Sequence, residues 1–364
     1  MTTISNSGLK SAASQADLRG TNLYRVAIVG AASLLGKEIA EMLRDRNFPA
    51  VDIRLLDDDE SLGRLEAVGD EVTFIQSIRP EQFENVDFTF FASDPRATRA
   101  KWGIARDLGS TIVDSSGALE GAPGASLRSP WVEREMIDRG IGRPMLPQLQ
   151  PGPVVVAHPA AIVLAMLALR AEKFARVERM VVTVFEPASE YGQKGMDELH
   201  EQTVNLLSFQ ELPKKIYDVQ VAFNMVARYG AGSQRSLSKI SERILKHYRQ
   251  LVPDAIEPAL QTIQAPVFHG HAFSIYLETD KPIAIKDFSD ALAGEHVEIT
   301  AADDTPNNVS AAGQEKILVA LSADASQKHG VWLWVTTDNL RISALAAVES
   351  AETLTASRPR GQIQ

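Results

Sequence analysis

No cysteine occurs anywhere in the 364 residues. That one absence excludes disulfides, thiolate metal sites and cysteine nucleophiles outright. Positive charge is also scarce: 37 Lys and Arg stand against 47 Asp and Glu, a formal net charge of −10. Phosphate backbones call for a basic face, so no nucleic-acid partner is expected. No apolar run approaches the roughly 20 residues of a membrane span, and no membrane partner is expected. Residues 1–22 (MTTISNSGLKSAASQADLRGTN) lack the apolar stretch of a signal peptide and read as a flexible polar tail. Residues 357–364 read as a second loose tail, and the protein is expected in the cytoplasm. Internal repeats and low-complexity segments are missing too. What remains is of ordinary globular composition and long enough for two domains with their own cores.

The chain is organised around the stretch from Pro153 to Arg170. Val154 to Ala157 is a short β-branched run suited to a buried strand. His158-Pro159 breaks it, and Ala160 to Leu169 then favours helix, with proline acceptable in the first turn. A strand feeding a helix N-terminus is a place where α/β enzymes present a nucleophile, because free amides and the positive helix end stabilise anionic groups there. This chain has Ala160 and Ala161 at that point. Upstream, Tyr24 to Gly30 reads as a buried strand, Ala31 to Gly36 as a turn, Lys37 to Arg46 as a helix, and Val51 to Leu56 as a second strand. That order opens a Rossmann-type, doubly wound nucleotide-binding domain. It is expected over 23–156, joined by a C-terminal helix at 338–356. Strands at 72–76, 86–93 and 111–116 and a helix at 95–108 continue it, while the Gly- and Pro-rich 117–153 reads as irregular. Residues 157–337 read as an α+β dimerisation and substrate domain with a mixed sheet. It includes strands at 177–186 and 263–278 and helices at 195–207 and 238–251.

Several residues carry candidate chemistry, each with a plain alternative. Gly30 and Gly36 frame the first turn, with Ser33 where a middle glycine would let pyrophosphate approach. The turn either binds phosphate or only packs the helix on the sheet. The acidic run Asp57 to Glu60 at the end of the second strand would accept a ribose hydroxyl and repel a 2′-phosphate, favouring NAD over NADP; otherwise it is a solvated turn. His269 and His271 flank Gly270 and would lie on one side of the 263–278 strand. Either could be a general acid/base or a structural histidine. No acidic or histidine cluster beside them completes a metal site, so no metal is expected. His158 is the one titratable side chain at its turn. Glu186, Glu190 and Lys194 surround a loop that either lines a cleft or is simply solvated.

Seven segments in order resemble the aspartate-semialdehyde dehydrogenase family, across nearly the whole chain. RVAIVGAASLLG (25–36) resembles its cofactor loop and IVDSSGAL (112–119) its Asp-Asn-Ser-Ser segment. VVVAHPAAIVLAMLAL (154–169) resembles its Asn-Pro-Asn-Cys helix, and GQKGMDELHEQT (192–203) its glycine-led helix. VAFN (221–224), APVFHGHAFS (265–274) and TTDNLRISALAA (336–347) complete the set. The resemblance implies a homodimer and an NADP- or NAD-dependent fold in which a thiolate attacks the semialdehyde and phosphate releases an acyl phosphate. Carried over residue by residue, the nucleophile position falls on Ala161, the neighbouring glutamine on Glu186 and the histidine acid/base on His271. The substrate-gripping arginine falls on Gln264. The phosphate-binding arginine falls on Glu120, a reversal expected to repel an anion. Cofactor contacts fall on Gly30, Ala32, Ser33, Leu34, Leu35, Gly36, Glu60, Ser61, Ser189 and Asn339, with the Ser-Gly pair at the nicotinamide replaced by Ser189-Glu190. Such losses resemble the family's degenerate Usg-type paralogues. They imply a scaffold or regulatory homologue that also pairs with an active paralogue, or else an enzyme with different chemistry in the same pocket.

Overall fold

The computed structural model describes residues 23–58, 65–68, 71–141, 152–301 and 304–355. Both expected tails, and with them Glu60 and Ser61, lie outside the described residues. The first unit runs β1 (Tyr24–Val29), α1 (Leu34–Asp45), β2 (Ala50–Asp57), β3 (Leu65–Val68), β4 (Glu71–Phe74), β5 (Gln76–Ser77), β6 (Phe88–Phe91), α2 (Pro95–Asp107) and β7 (Thr111–Asp114). It continues with β8 (Ser126–Arg128), α3 (Pro130–Asp138), β9 (Val154–Val156) and α4 (Pro159–Phe174). Seven strands form a sheet in the order β5-β2-β1-β6-β7-β9-β8, parallel at every pairing. Parallel strands covered on both faces must be apolar throughout, and all four residues of β6 are buried. Each buried phenylalanine there is worth roughly 1.5–3 kcal/mol. The order reverses direction between β1 and β6, which opens a crevice at the carboxyl ends of the strands.

The second unit contains β10 (Val177–Glu186), α5 (Gly192–Leu207), α6 (Leu237–Leu251), β11 (Ala259–Gln264), β12 (His271–Thr279) and α7 (Ile285–Leu292). It ends with β13 (Val297–Ile299), α8 (Asn308–Ala311), β14 (Ile317–Ala323), β15 (Gly330–Thr337) and α9 (Asn339–Thr355). Its six-stranded sheet is mixed, in the order β11-β10-β12-β15-β14-β13. β10 pairs parallel with β11 but antiparallel with β12. Helix α9 returns to the first unit and packs against α1, α3 and α4. Arg341 at its start reaches Asp45, Glu41 and Glu38 of α1, as well as Glu315. Helix α4 is buried on all sides from Pro159 to Ala171, as a helix apolar all round should be. Its one buried cation, Arg170, is held by Glu135 and the Leu292 carbonyl.

Three readings of the sequence need correction. The extended strand expected at 263–278 is two strands, because Pro266 lacks a ladder donor and Gly270 turns the chain at φ +81°. Residues 117–153 are not uniformly irregular: β8 and α3 form there, the helix opening with Pro130 in its first turn. The strand expected at 72–76 is instead part of a separate β3–β4 hairpin.

Candidate functional site

A cleft of about 750 Å³ opens between the units, above the crevice in the parallel sheet. Ser33 to Leu35, Ala92 to Pro95, Ser115 to Gly117 and His158-Pro159 form one wall; Ser189 to Lys194 and the start of α6 form the other. Gly30 is held at φ +85°, and a Cβ there would sit 2.5 Å from the Ser93 nitrogen. A Cβ on Gly36 would sit 2.2 Å from the Gly30 oxygen. The turn's own packing therefore demands both glycines. Ser33 caps α1: its Oγ accepts from the Gly36 amide at 2.9 Å and donates to the Ala92 carbonyl at 3.1 Å. Asp57 is neither a free acceptor nor a merely solvated acid, since its Oδ2 accepts from the Ala32 amide at 2.7 Å. Leu34 and Leu35 border the cleft without filling it. Their amides lie in the first helical turn, where no intrahelical acceptor exists. The turn offers these amides to an anion such as a phosphate group.

At the start of α4, His158 is the N-cap. Its Nδ1 accepts from the Ala160 amide, and its own amide donates to His247 Nδ1 at 2.9 Å. Ala161 is wholly buried, and its amide donates to the His158 carbonyl. The first turn of that helix, Pro159 to Ile162, carries no nucleophilic side chain. Glu120 corrects an expectation. It is no unpaired repulsive charge, because Oε1 accepts from Arg243 Nε at 2.6 Å and Oε2 from Lys246 Nζ at 2.9 Å. His247 Nε2 lies 3.0 Å from Oε1. Burial alone would raise the Glu120 pKa, but these three groups from α6 hold the carboxyl well below its usual range. Gln264 points away from the cleft. It is buried, donates to the Glu186 and Ala265 carbonyls, and accepts from the Tyr229 hydroxyl at 2.7 Å.

His271 opens β12 and is fully buried. Its Nε2 lies 3.1 Å from Glu186 Oε2 and 3.7 Å from Glu190 Oε1. His158 borders the same group, its Nε2 4.0 Å from Glu190 Oε2. Burial pushes Glu186 above its normal pKa. Burial would lower His271, but the Glu186 carboxylate overrides it and raises the imidazole. His158 is driven well down by burial and by Arg243. The two histidines expected on one face do not share it: His269 lies in the turn before β12 and outside the strand. Contrary to the expectation of no acidic cluster, donor atoms of Glu186, Glu190 and His271 all lie within 4.8 Å of one another. Asn339 does not face the cleft. Its amide donates to Glu190 Oε1 and accepts from Ser189 Oγ and the Gly270 amide.

Residues 25–140 match the profile described as semialdehyde dehydrogenase, NAD binding domain. Residues 166–342 match semialdehyde dehydrogenase, dimerisation domain. The aspartate-semialdehyde dehydrogenase of Rickettsia bellii is 26% identical over 342 residues, covering 92% of this chain and 98% of that protein. A USG-1 protein homolog of Pseudomonas aeruginosa is 30% identical over 338 residues, covering 90% of this chain and 97% of that one. The chain belongs to the aspartate-semialdehyde dehydrogenase family. Within that family, the crystal structure of the Vibrio cholerae enzyme II complexed with ASA superposes with a TM-score of 0.80. It has 26% identity and covers 92% of this chain and 99% of that one. This family member departs from the thiol-based pattern at its centre, since it has no cysteine at all.

The sequence reading missed Arg235, Lys239 and Arg243, which line the cleft. Part of the signal was available: Lys239 and Arg243, four residues apart, share one face of α6, while Arg235 precedes the helix. Arg235 stacks over the Tyr191 ring at 4.4 Å and donates to the Glu190 carbonyl.

Proposed function

We propose that this chain is a non-acylating aspartate-semialdehyde dehydrogenase homologue. It keeps the family's ligand cleft and dimeric scaffold but does not phosphorylate or oxidise a semialdehyde through a covalent intermediate. Ala161 carries this reading: a buried methyl group occupies the helix start where the resemblance places the thiolate. Without that nucleophile no thiohemiacetal forms, and there is no adduct from which hydride could leave. Residues 23–156 with 338–356 are assigned as the nucleotide-binding domain and 157–337 as the dimerisation domain. The open cleft, its basic Lys194, Arg235 and Lys239, and the glycine turn all support binding of a dinucleotide beside a small anionic ligand. A bound nicotinamide cofactor would supply hydride chemistry, and the turn from Gly30 to Leu35 would hold its pyrophosphate. Asp57 places negative charge at the end of β2, which favours NAD over NADP.

A phosphate-dependent assay with aspartate semialdehyde and either cofactor tests the proposal. No acyl phosphate should form, and steady turnover would sink the non-acylating reading. Parallel calorimetric titrations with NAD and NADP should show NAD binding more tightly. Sedimentation should give a dimer at micromolar concentration, and a stable monomer would refute the dimeric part.

A further inference from the structure

The geometry points to a divalent transition-metal site formed by Glu186, Glu190 and His271, with one coordination position open to the cleft. The ligands come from three places: the end of β10, the turn at Ala188–Tyr191 and the first residue of β12. Packing of the sheet, not chain proximity, brings them together. A tetrahedral ion with bonds of roughly 2.1 Å needs ligand atoms about 3.4 Å apart. The separations from His271 Nε2 to the two carboxylates, 3.1 and 3.7 Å, bracket that spacing.

Two further observations point to a cation. Glu186 is wholly buried, and its Oε1, on the carboxylate that touches His271, has no hydrogen-bond partner among the described residues. Two carboxylates also converge on one imidazole in a largely buried place, where a divalent ion binding in place of the imidazole proton would offset their crowded negative charge. The ligands are held in position. Asn339 Nδ2 donates to Glu190 Oε1 at 2.8 Å, an outer contact of the kind that orients ligating carboxylates. The His271 ring is flanked by those of His158 and Phe273, with centroids 5.9 and 5.8 Å away. Glu190 lines the cleft, so the fourth position faces solvent or an oxygen of a bound ligand, as in accessible rather than closed sites. One imidazole and two carboxylates suit Zn²⁺, Mn²⁺ or Fe²⁺ better than Mg²⁺ or Ca²⁺.

The test uses the chelator-treated full-length protein, titrated with Zn²⁺ by calorimetry and with Co²⁺ by visible spectroscopy, without nucleotide. One ion per chain should bind, Co²⁺ should give the absorption of a four-coordinate site, and Zn²⁺ should raise Tm. Glu190→Gln retains the oxygen that Asn339 contacts and should fold normally, while Zn²⁺ affinity falls roughly tenfold or more. Glu186→Gln should fall at least as far. Absence of both Zn²⁺ heat and Co²⁺ absorption would overturn the proposal, as would unchanged affinity in both variants. Neither result bears on dinucleotide binding or turnover, so the two readings fail separately.

Discussion

Mild acid should destabilise the protein through His296, at the joint between the two units. Its ring lies flat on Trp131 of α3, with centroids 3.9 Å apart and planes 5° apart. Arg134 Nη2 donates to Nε2 at 3.2 Å, so the folded state requires that nitrogen unprotonated. Burial, then Arg134, Arg170 and Arg46, depress the pKa to about 4, against the opposing pull of Glu135. Glu295 lies 3.8 Å from Nε2 but is exposed, where solvent screens it. As pH falls through 6.5 the unfolded chain takes up a proton that the folded chain refuses until about pH 4. Stability is therefore lost across that window, and at pH 5 the loss is about 2 kcal/mol. Urea unfolding at pH 7.5 and pH 5 would measure it in wild type and in His296→Phe, which keeps the stack but cannot titrate. Wild type should lose about 2 kcal/mol more than the variant on acidification. Equal losses would refute this account of the joint.

Three other outcomes follow from buried polar contacts. Arg341→Met should cost roughly 1–2 kcal/mol in denaturant unfolding, because it removes the cation shared by partly exposed Glu38, Glu41, Asp45 and Glu315. Glu120→Gln frees Arg243 at the cleft, so phosphate should bind roughly fivefold more tightly by calorimetry. Gln202 is wholly buried and ties four backbone groups between Pro213 and Ala222. Gln202→Leu should cost roughly 3 kcal/mol and accelerate amide exchange at Val221 and Ala222.

Much of the architecture was legible because its causes are local. The phenylalanine-rich β6, the Gly30–Gly36 turn and the apolar run Pro159–Leu169 of α4 each announce an environment through composition and spacing. The break between β11 and β12 was also written in Pro266 and Gly270, but two apolar runs with similar alternation hid it. The missing nucleophile needed no structure, because a chain without cysteine cannot present a thiolate in any conformation.

Tertiary packing decided the rest. Charge sign is a property of sequence, whereas what neutralises a charge depends on which elements meet. Glu120 looks repulsive until α6, 123 residues further on at Arg243, brings its bases alongside. Asp57 looks free until the fold sets it against the Ala32 amide. Glu186 and His271 lie 85 residues apart and become one group only because β10 and β12 are antiparallel neighbours. The sequence by itself determined the fold class and the absence of any thiolate. Only the folded sheet could turn three scattered side chains into a site, since proximity across strands is set by register, and register is a property of the whole.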